Sequence, residues 1–153
     1  MNSLNELRAN YEDFLRSPRF NYADRISTAI DDFNNNNNNN NNNTKSKNAA
    51  ATAGVTIGPG CPRIKVKLSE LRSENPSLER RLINDPLRHL RALEFAAHDI
   101  GVDERPGYEE KGGDVRIKVA IEGPISSTPS TPRTLNSSSL QSLVSIQGVA
   151  TKV

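Results

Sequence analysis

Ten consecutive asparagines, Asn34 to Asn43, constrain this chain more than any other feature. Asparagine side chains compete with the backbone for hydrogen bonds and bury no apolar surface. The tract and the polar stretch after it, TKSKNAAATAG, therefore contribute nothing to a core. Whatever folds must be built from the segments on either side. These are thin in core material, since only 34% of the 153 residues are hydrophobic and 5% are aromatic. That composition supports a small folded domain together with stretches that cannot offset the entropy of ordering the chain. The tract reads as a disordered insertion left by repeat expansion, with an aggregation-prone assembly tract as the other reading.

Charge and cysteine usage exclude several classes. Twenty basic and 18 acidic residues leave a formal net charge of +2, which is no electrostatic footprint for nucleic acid. The one cysteine, Cys61, has no intramolecular partner for a disulfide, which suits a reducing compartment. No apolar run approaches the ~20 residues that span a bilayer, so no membrane partner is expected. The opening MNSLNELRAN lacks the basic start and apolar run of a secretory signal. The default compartment is the cytosol or the nucleus.

Two helical pieces are predicted before the tract. Leu4, Leu7, Tyr11, Phe14 and Leu15 fall at helical spacings, and Ser17-Pro18 interrupts. Phe20, Tyr22, Ile26, Ala29, Ile30 and Phe33 continue on a second amphipathic stretch. After the tract, RIKVKL at 63–68 alternates charged and apolar residues as a half-buried strand does. Ser69 is a plausible N-cap for a short helix, and Asn75-Pro76 and Asp85-Pro86 are two further start signals. PLRHLRALEFAAHDI carries an apolar stripe of Leu87, Leu90, Leu93, Ala97 and Ile100, with Gly101 placed to stop the helix. DVRIKVAIEG, 114–123, alternates again and predicts a second strand. PISSTPSTPRTLNSSS is a connector rich in Pro, Ser and Thr, and LQSLVSIQGVATKV at 140–153 reads as a final strand.

No catalytic, cofactor-binding or metal-binding constellation emerges. His89 and His98 lie nine residues apart on one predicted helix, ~13 Å along its axis, too far to share a metal. Cys61 has no second cysteine for zinc and no identifiable activating base. AGVTIGPGCPR is glycine-rich, yet no Gly-Lys-Ser/Thr follows to cradle phosphates. Arg80, Arg81, Arg88 and Arg91 are interleaved with Glu79, Asp85 and Glu94, the pattern of a solvated mixed-charge face. Thr128-Pro129 and Thr131-Pro132 fit either proline-directed phosphorylation sites or a stiff connector.

STPRTLNSSSLQSLVSIQGVATKV points to a family. Pro132, Arg133, Thr134 and Leu135 resemble the Pro-Arg-x-Leu connector of the minichromosome maintenance (MCM) family of replicative helicase subunits. Leu143, Val144, Ile146, Gly148, Val149, Thr151 and Lys152 resemble its Leu-Val-x-Val-x-Gly-Ile-Val-x-Lys strand, with Ala150 in place of a larger apolar residue. VRIKVAIEG, NELRANYEDFL and RIKVKLSELR are similar to upstream parts of the third-subunit type. The resemblance implies an α+β fold: a small helical subdomain with a few β-strands, leading into the first strand of a truncated oligonucleotide-binding (OB) barrel.

The implied organisation is N-terminal helices at 1–33, an Asn-rich insertion at 34–62, a helix and strand core at 63–123, a connector at 124–139 and the barrel strand at 140–153. The implied function is that of an N-terminal fragment of a replication licensing factor. It would work in the nucleus with other MCM subunits in a hexameric helicase around DNA. ATP, magnesium and zinc are implied for the full-length family and none for this chain, which the resemblance treats as non-catalytic. An autonomous interaction module, using the face around Leu90 and Leu93 or the Asn tract, is the alternative. Without barrel neighbours the final strand is expected to fray, in preference to borrowing an edge or associating with another chain.

Overall fold

The computed structural model describes residues 3–42, 61–108, 117–125 and 130–149. Helix α1 (Leu4–Arg16) begins where Ser3 accepts a hydrogen bond from the Glu6 N–H at 3.3 Å, the geometry of an N-cap. It buries Leu7, Tyr11, Phe14 and Leu15, whereas Leu4 at its tip is exposed. The chain turns at Ser17-Pro18, passes through Asn21 in the left-handed region (φ 53°) and starts α2 (Tyr22–Asn42). Asparagine tolerates that conformation better than most residues because its short amide bonds locally.

Helix α2 buries Tyr22, Ile26 and Ile30 and then runs on through Asn42. The asparagines up to that point are thus helical, where the sequence predicts an irregular insertion. Helix nucleation is the costly step, and here the packed segment 22–33 has already supplied it. Extending over a mediocre helix former then costs little per residue. Residues 43–60 of the predicted insertion lie outside the described residues.

Strand β1 (Arg63–Lys67) alternates as its sequence predicts, with Ile64 and Val66 buried and Arg63, Lys65 and Lys67 exposed. It pairs in parallel with β2 (Lys118–Glu122), in a register from Arg63↔Lys118 to Lys67↔Glu122. Parallel neighbours require a crossover. Among the described residues it holds three helices: α3 (Leu68–Glu74), α4 (Pro76–Asn84) and α5 (Pro86–Glu104). Asn75 caps α4 by accepting from the Leu78 N–H at 3.0 Å, and Pro86 starts α5 as predicted, although Asp85 at the cap position makes no side-chain capping bond. Residues 114–116 of the predicted second strand lie outside the described residues.

Three local expectations change. Ser69 is not a cap, because Lys67 occupies that position and Leu68 is already helical. Leu68 is fully buried, so the chain turns from strand to helix without an intervening loop. Gly101 does not stop α5. It lies inside the helix and is buried, where a Cβ would meet Ile117 Cδ1 at 2.7 Å and Ile30 Cδ1 at 3.0 Å. Its missing side chain is used for close approach to α2 and to the residue before β2. The buried column of α5 is also rotated from the predicted stripe. His89, Ala92, Leu93, Ala96, Ala97 and Ile100 face inward, Leu90 is half-buried and Leu87 is 77% exposed. Alanines serve as core here because neighbouring backbones come close. Leu93 belongs to the core, so the face around it is not a free docking surface.

Polar ties bind the elements. Arg8 pairs with Asp99 and Arg16 with Asp103, both linking α1 to α5. Arg105 grips Asp31 of α2 with two bonds of 3.0 and 2.6 Å, and this bonding holds the carboxyl below the usual carboxylate range. Glu79, expected on a solvated face, is 6% exposed and is held by Arg72 at 2.7 Å.

These positions rank substitutions. Leu93→Ala removes a fully buried side chain and is expected to cost about 2–5 kcal/mol, whereas Leu87→Ala stays within about 0.5 kcal/mol. Gly101→Ala forces Ile117 aside and is expected to cost about 1–3 kcal/mol. Urea melts of the three variants check the order.

Candidate functional site

The residues singled out by the connector and strand motifs converge on one surface. Strand β2 ends at Gly123, whose φ of +117° suits glycine, and the half-buried Ile125 follows. At Ser130 the described chain resumes as a closed loop. The Ser130 N–H donates to Ser145 O at 2.8 Å, and the Gln147 N–H donates to Ser130 O at 2.9 Å. These two bonds form an isolated parallel bridge between Ser130 and Ile146.

Inside the loop, local polar groups make the turns. The Thr134 N–H and hydroxyl both donate to Thr131 O, at 3.0 and 3.1 Å, and the Thr131 N–H donates to Thr134 Oγ1 at 2.9 Å. Asn136 caps a single 3-10 turn, Ser137–Ser139, by accepting from the Ser138 N–H at 3.1 Å. Such side-chain bonds replace the apolar contacts that the loop lacks. One further bond docks it on the helices, from the Leu143 N–H to Ile83 O at 2.8 Å.

The structure thus brings the two motif halves together. Pro132 and Arg133 are exposed, Leu135 is half-buried, and Gly148 lies against Pro132, whose Cγ would sit 3.7 Å from a Cβ there. Leu143 is half-buried, Val144 and Ile146 are exposed, and Val149 is 90% exposed. Lys152 and Thr151 lie outside the described residues. The predicted strand over 140–153 does not form within the described part, and no barrel strand is confirmed. The segment is not frayed throughout either, because Leu143 and Gln147 are tied by backbone bonds. A regular strand needs a partner along its whole length, and Ser130 offers only one residue.

Chemically this surface carries hydroxyls, the Arg133 guanidinium and exposed aliphatic groups. Among the described residues no group of His, Cys, Asp and Glu is placed to hold a metal. Cys61 lines a shallow groove of about 610 Å³ together with α2 and the start of β1. His89 and His98 serve the core instead. The His89 Nδ1 lies 2.8 Å from the Tyr11 hydroxyl, and the His98 ring packs beside Tyr108. Burial pushes the Tyr11 phenol well above its ordinary range, so it remains an O–H donor and neutral His89 accepts. A second tyrosine latches three elements: the Tyr22 hydroxyl donates to Glu70 of α3 and accepts from the Lys67 N–H of β1 at 3.1 Å. Burial and the Glu70 bond raise its phenol to about 12. Neither partner was visible in the sequence, since each pair is separated by dozens of residues and carries no spacing signal.

No family model matches the chain. Over 90 residues, 59% of its length, it is 29% identical to the "DNA replication licensing factor MCM3 homolog 1" of Zea mays, and equally so to homolog 2 of that plant. The "DNA replication licensing factor MCM3" of Oryza sativa subsp. indica is 28% identical over a stretch of the same length. The chain thus resembles the minichromosome maintenance family over this stretch. It is similar to the N-terminal region of third-subunit proteins of that family, as the connector and strand residues imply. The matched stretch spans 12% of the maize relatives' length and 11% of the rice one.

Two measurements follow from this geometry. Burial is the main cause holding the His89 imidazole below its ordinary value of 6.5, so the native state favours the neutral ring. The unfolded chain then binds more protons, and stability present above 6.5 is lost as the pH falls toward the lowered native value. Melting temperature is expected to drop between about pH 7 and about pH 5, with a shallower drop in His89→Gln. In amide exchange, Leu143 and Gln147 are expected to be protected while Val144, Ile146 and Val149 exchange quickly. Equal rates at all five would mean that the loop is not docked.

Proposed function

We propose that this chain forms the outer, helical part of the N-terminal collar of a replication licensing subunit. In this reading it acts in the nucleus within a hexamer of MCM subunits around DNA, in origin licensing and unwinding. The observation that carries it is the 90-residue likeness to plant licensing factors. The shape of the described chain supports it. A rigid helical core delivers residues 130–149 to one side, where Val144, Ile146 and Val149 present aliphatic groups to solvent. Residues 143–149 and Lys152 would become the first strand of an OB barrel once neighbouring strands meet those groups, completing the backbone bonds that Ser130 alone cannot supply.

Under this proposal ATP, magnesium and zinc belong to the assembled ring, and no described residue of this chain is assigned to them. The chain's role is to hold position and to present an edge. The test is affinity capture of the tagged chain from the cells that make it, blotted for the other MCM subunits. Co-purification is expected, and it should weaken when Val144 and Ile146 are both changed to Asp. Capture of none of those subunits, by a chain that is folded and nuclear, would sink the reading.

A further inference from the structure

Among the described residues, the outer edge of β2 is open. The Lys118 N–H donates to Pro62 O at 2.9 Å, so in the parallel register Lys118, Ala120 and Glu122 turn their backbone groups toward β1. Val119 and Ile121 therefore turn theirs away. On the matching outward side of β1, α2 lies alongside and its Tyr22 hydroxyl receives the Lys67 N–H. Among the described residues, nothing bonds the N–H or C=O of Val119 or Ile121 on the far side of β2. Their side chains are only half-buried, whereas Ile64 and Val66 beside them on β1 are fully enclosed. A strand with a free edge and an incompletely covered apolar face is one to which another strand adds.

The sequence of this edge says which strand. We propose that β2 pairs with β2 of a second copy of this chain, antiparallel, about a two-fold axis through Ala120. In that register Lys118 lies opposite Glu122 of the second copy at both ends. Val119 lies opposite Ile121, and these are the residues whose backbone groups point outward, so each such pair exchanges two hydrogen bonds. Their half-buried side chains then cover one another as a β-branched cross-strand pair. Centring the axis on Val119 or Ile121 instead would set Lys118 or Glu122 against Ala120 and lose the charge match. A slip by one residue would turn the bonded groups away. The contact is isologous, so it closes at two copies. The result is a four-stranded sheet, with the Tyr22 side of each β1 at its outer limits. This pairing is independent of the replication reading. With one five-residue edge it is a weak association.

Sedimentation equilibrium of the 153-residue chain tests it. Reversible dimers are expected to appear as concentration rises from about 10 μM to about 1 mM. Glu122→Lys alone and Lys118→Glu alone each set like charges opposite and are expected to weaken association roughly tenfold or more. An equimolar mixture of the two restores both opposite-charge pairs and is expected to dimerise as the wild type does. Val119→Pro gives a second route, because that N–H points away from β1 and a proline on an outer edge leaves the monomer's own bonds intact. Circular dichroism confirms that each variant is folded. A wild type that stays monomeric throughout, a folded Val119→Pro that dimerises undiminished, or a mixture that fails to restore pairing would each overturn the proposal.

Discussion

Everything in this fold leans on how closely other elements approach α5. The helix offers Ala92, Ala96, Ala97 and Gly101 to its neighbours, and all four are buried. At Gly101 the approach is so tight that a Cβ would sit 2.7 Å from the Ile117 side chain. Small residues bring backbones together and let larger side chains from α1, α2 and the strand pair fill the space between. A chain with 34% hydrophobic residues has few large ones to use. Placing Leu93 and Ile100 between rows of alanine makes those few sufficient.

Polar bonds between elements supplement this thin core. Tyr11 and His89 join α1 to α5, and Tyr22 joins α2 to both β1 and α3. Each net bond contributes about 1 kcal/mol, while losing one partner leaves a buried group unsatisfied at greater cost. Such contacts stabilise modestly but specify strongly. They set the rotation of α1 against α5 and hold α2 over the outer side of β1. Among the described residues, β2 is then the side of the sheet where pairing is incomplete.

The segment that follows the core is built on a different principle. Between Ser130 and Val149 the turns are made by threonine, serine and asparagine side chains bonding to nearby backbone. Among the described residues, the backbone bond that ties the segment to the helices runs from Leu143 to Ile83. The aliphatic groups that would bury themselves in a larger assembly face water. In the proposed reading, a neighbour would meet this lightly tethered, partly apolar edge. The likeness to replication licensing factors gives that neighbour a proposed identity.

What could be read from residue order alone was what depends on near neighbours. The break at Ser17-Pro18, the capped start at Asn75-Pro76, the helix start at Pro86 and the alternation of RIKVK all act within a few residues, and all appear as expected. The motif residues Pro132, Arg133, Leu143 and Ile146 were visible as a family pattern, though not as a bridged loop. Other features required the third dimension. Gly101 resembles a helix stop until Ile30 and Ile117 are seen to occupy the space its side chain would need. The asparagines extend α2 because packing of residues 22–33 had already nucleated it. Residues 140–149 have the alternation of a strand without becoming one, since alternation states which faces a strand would have and only a neighbouring strand can form it. Local signals determined where elements start and stop. Which groups meet across the chain, and hence which edges remain open, was decided by tertiary packing.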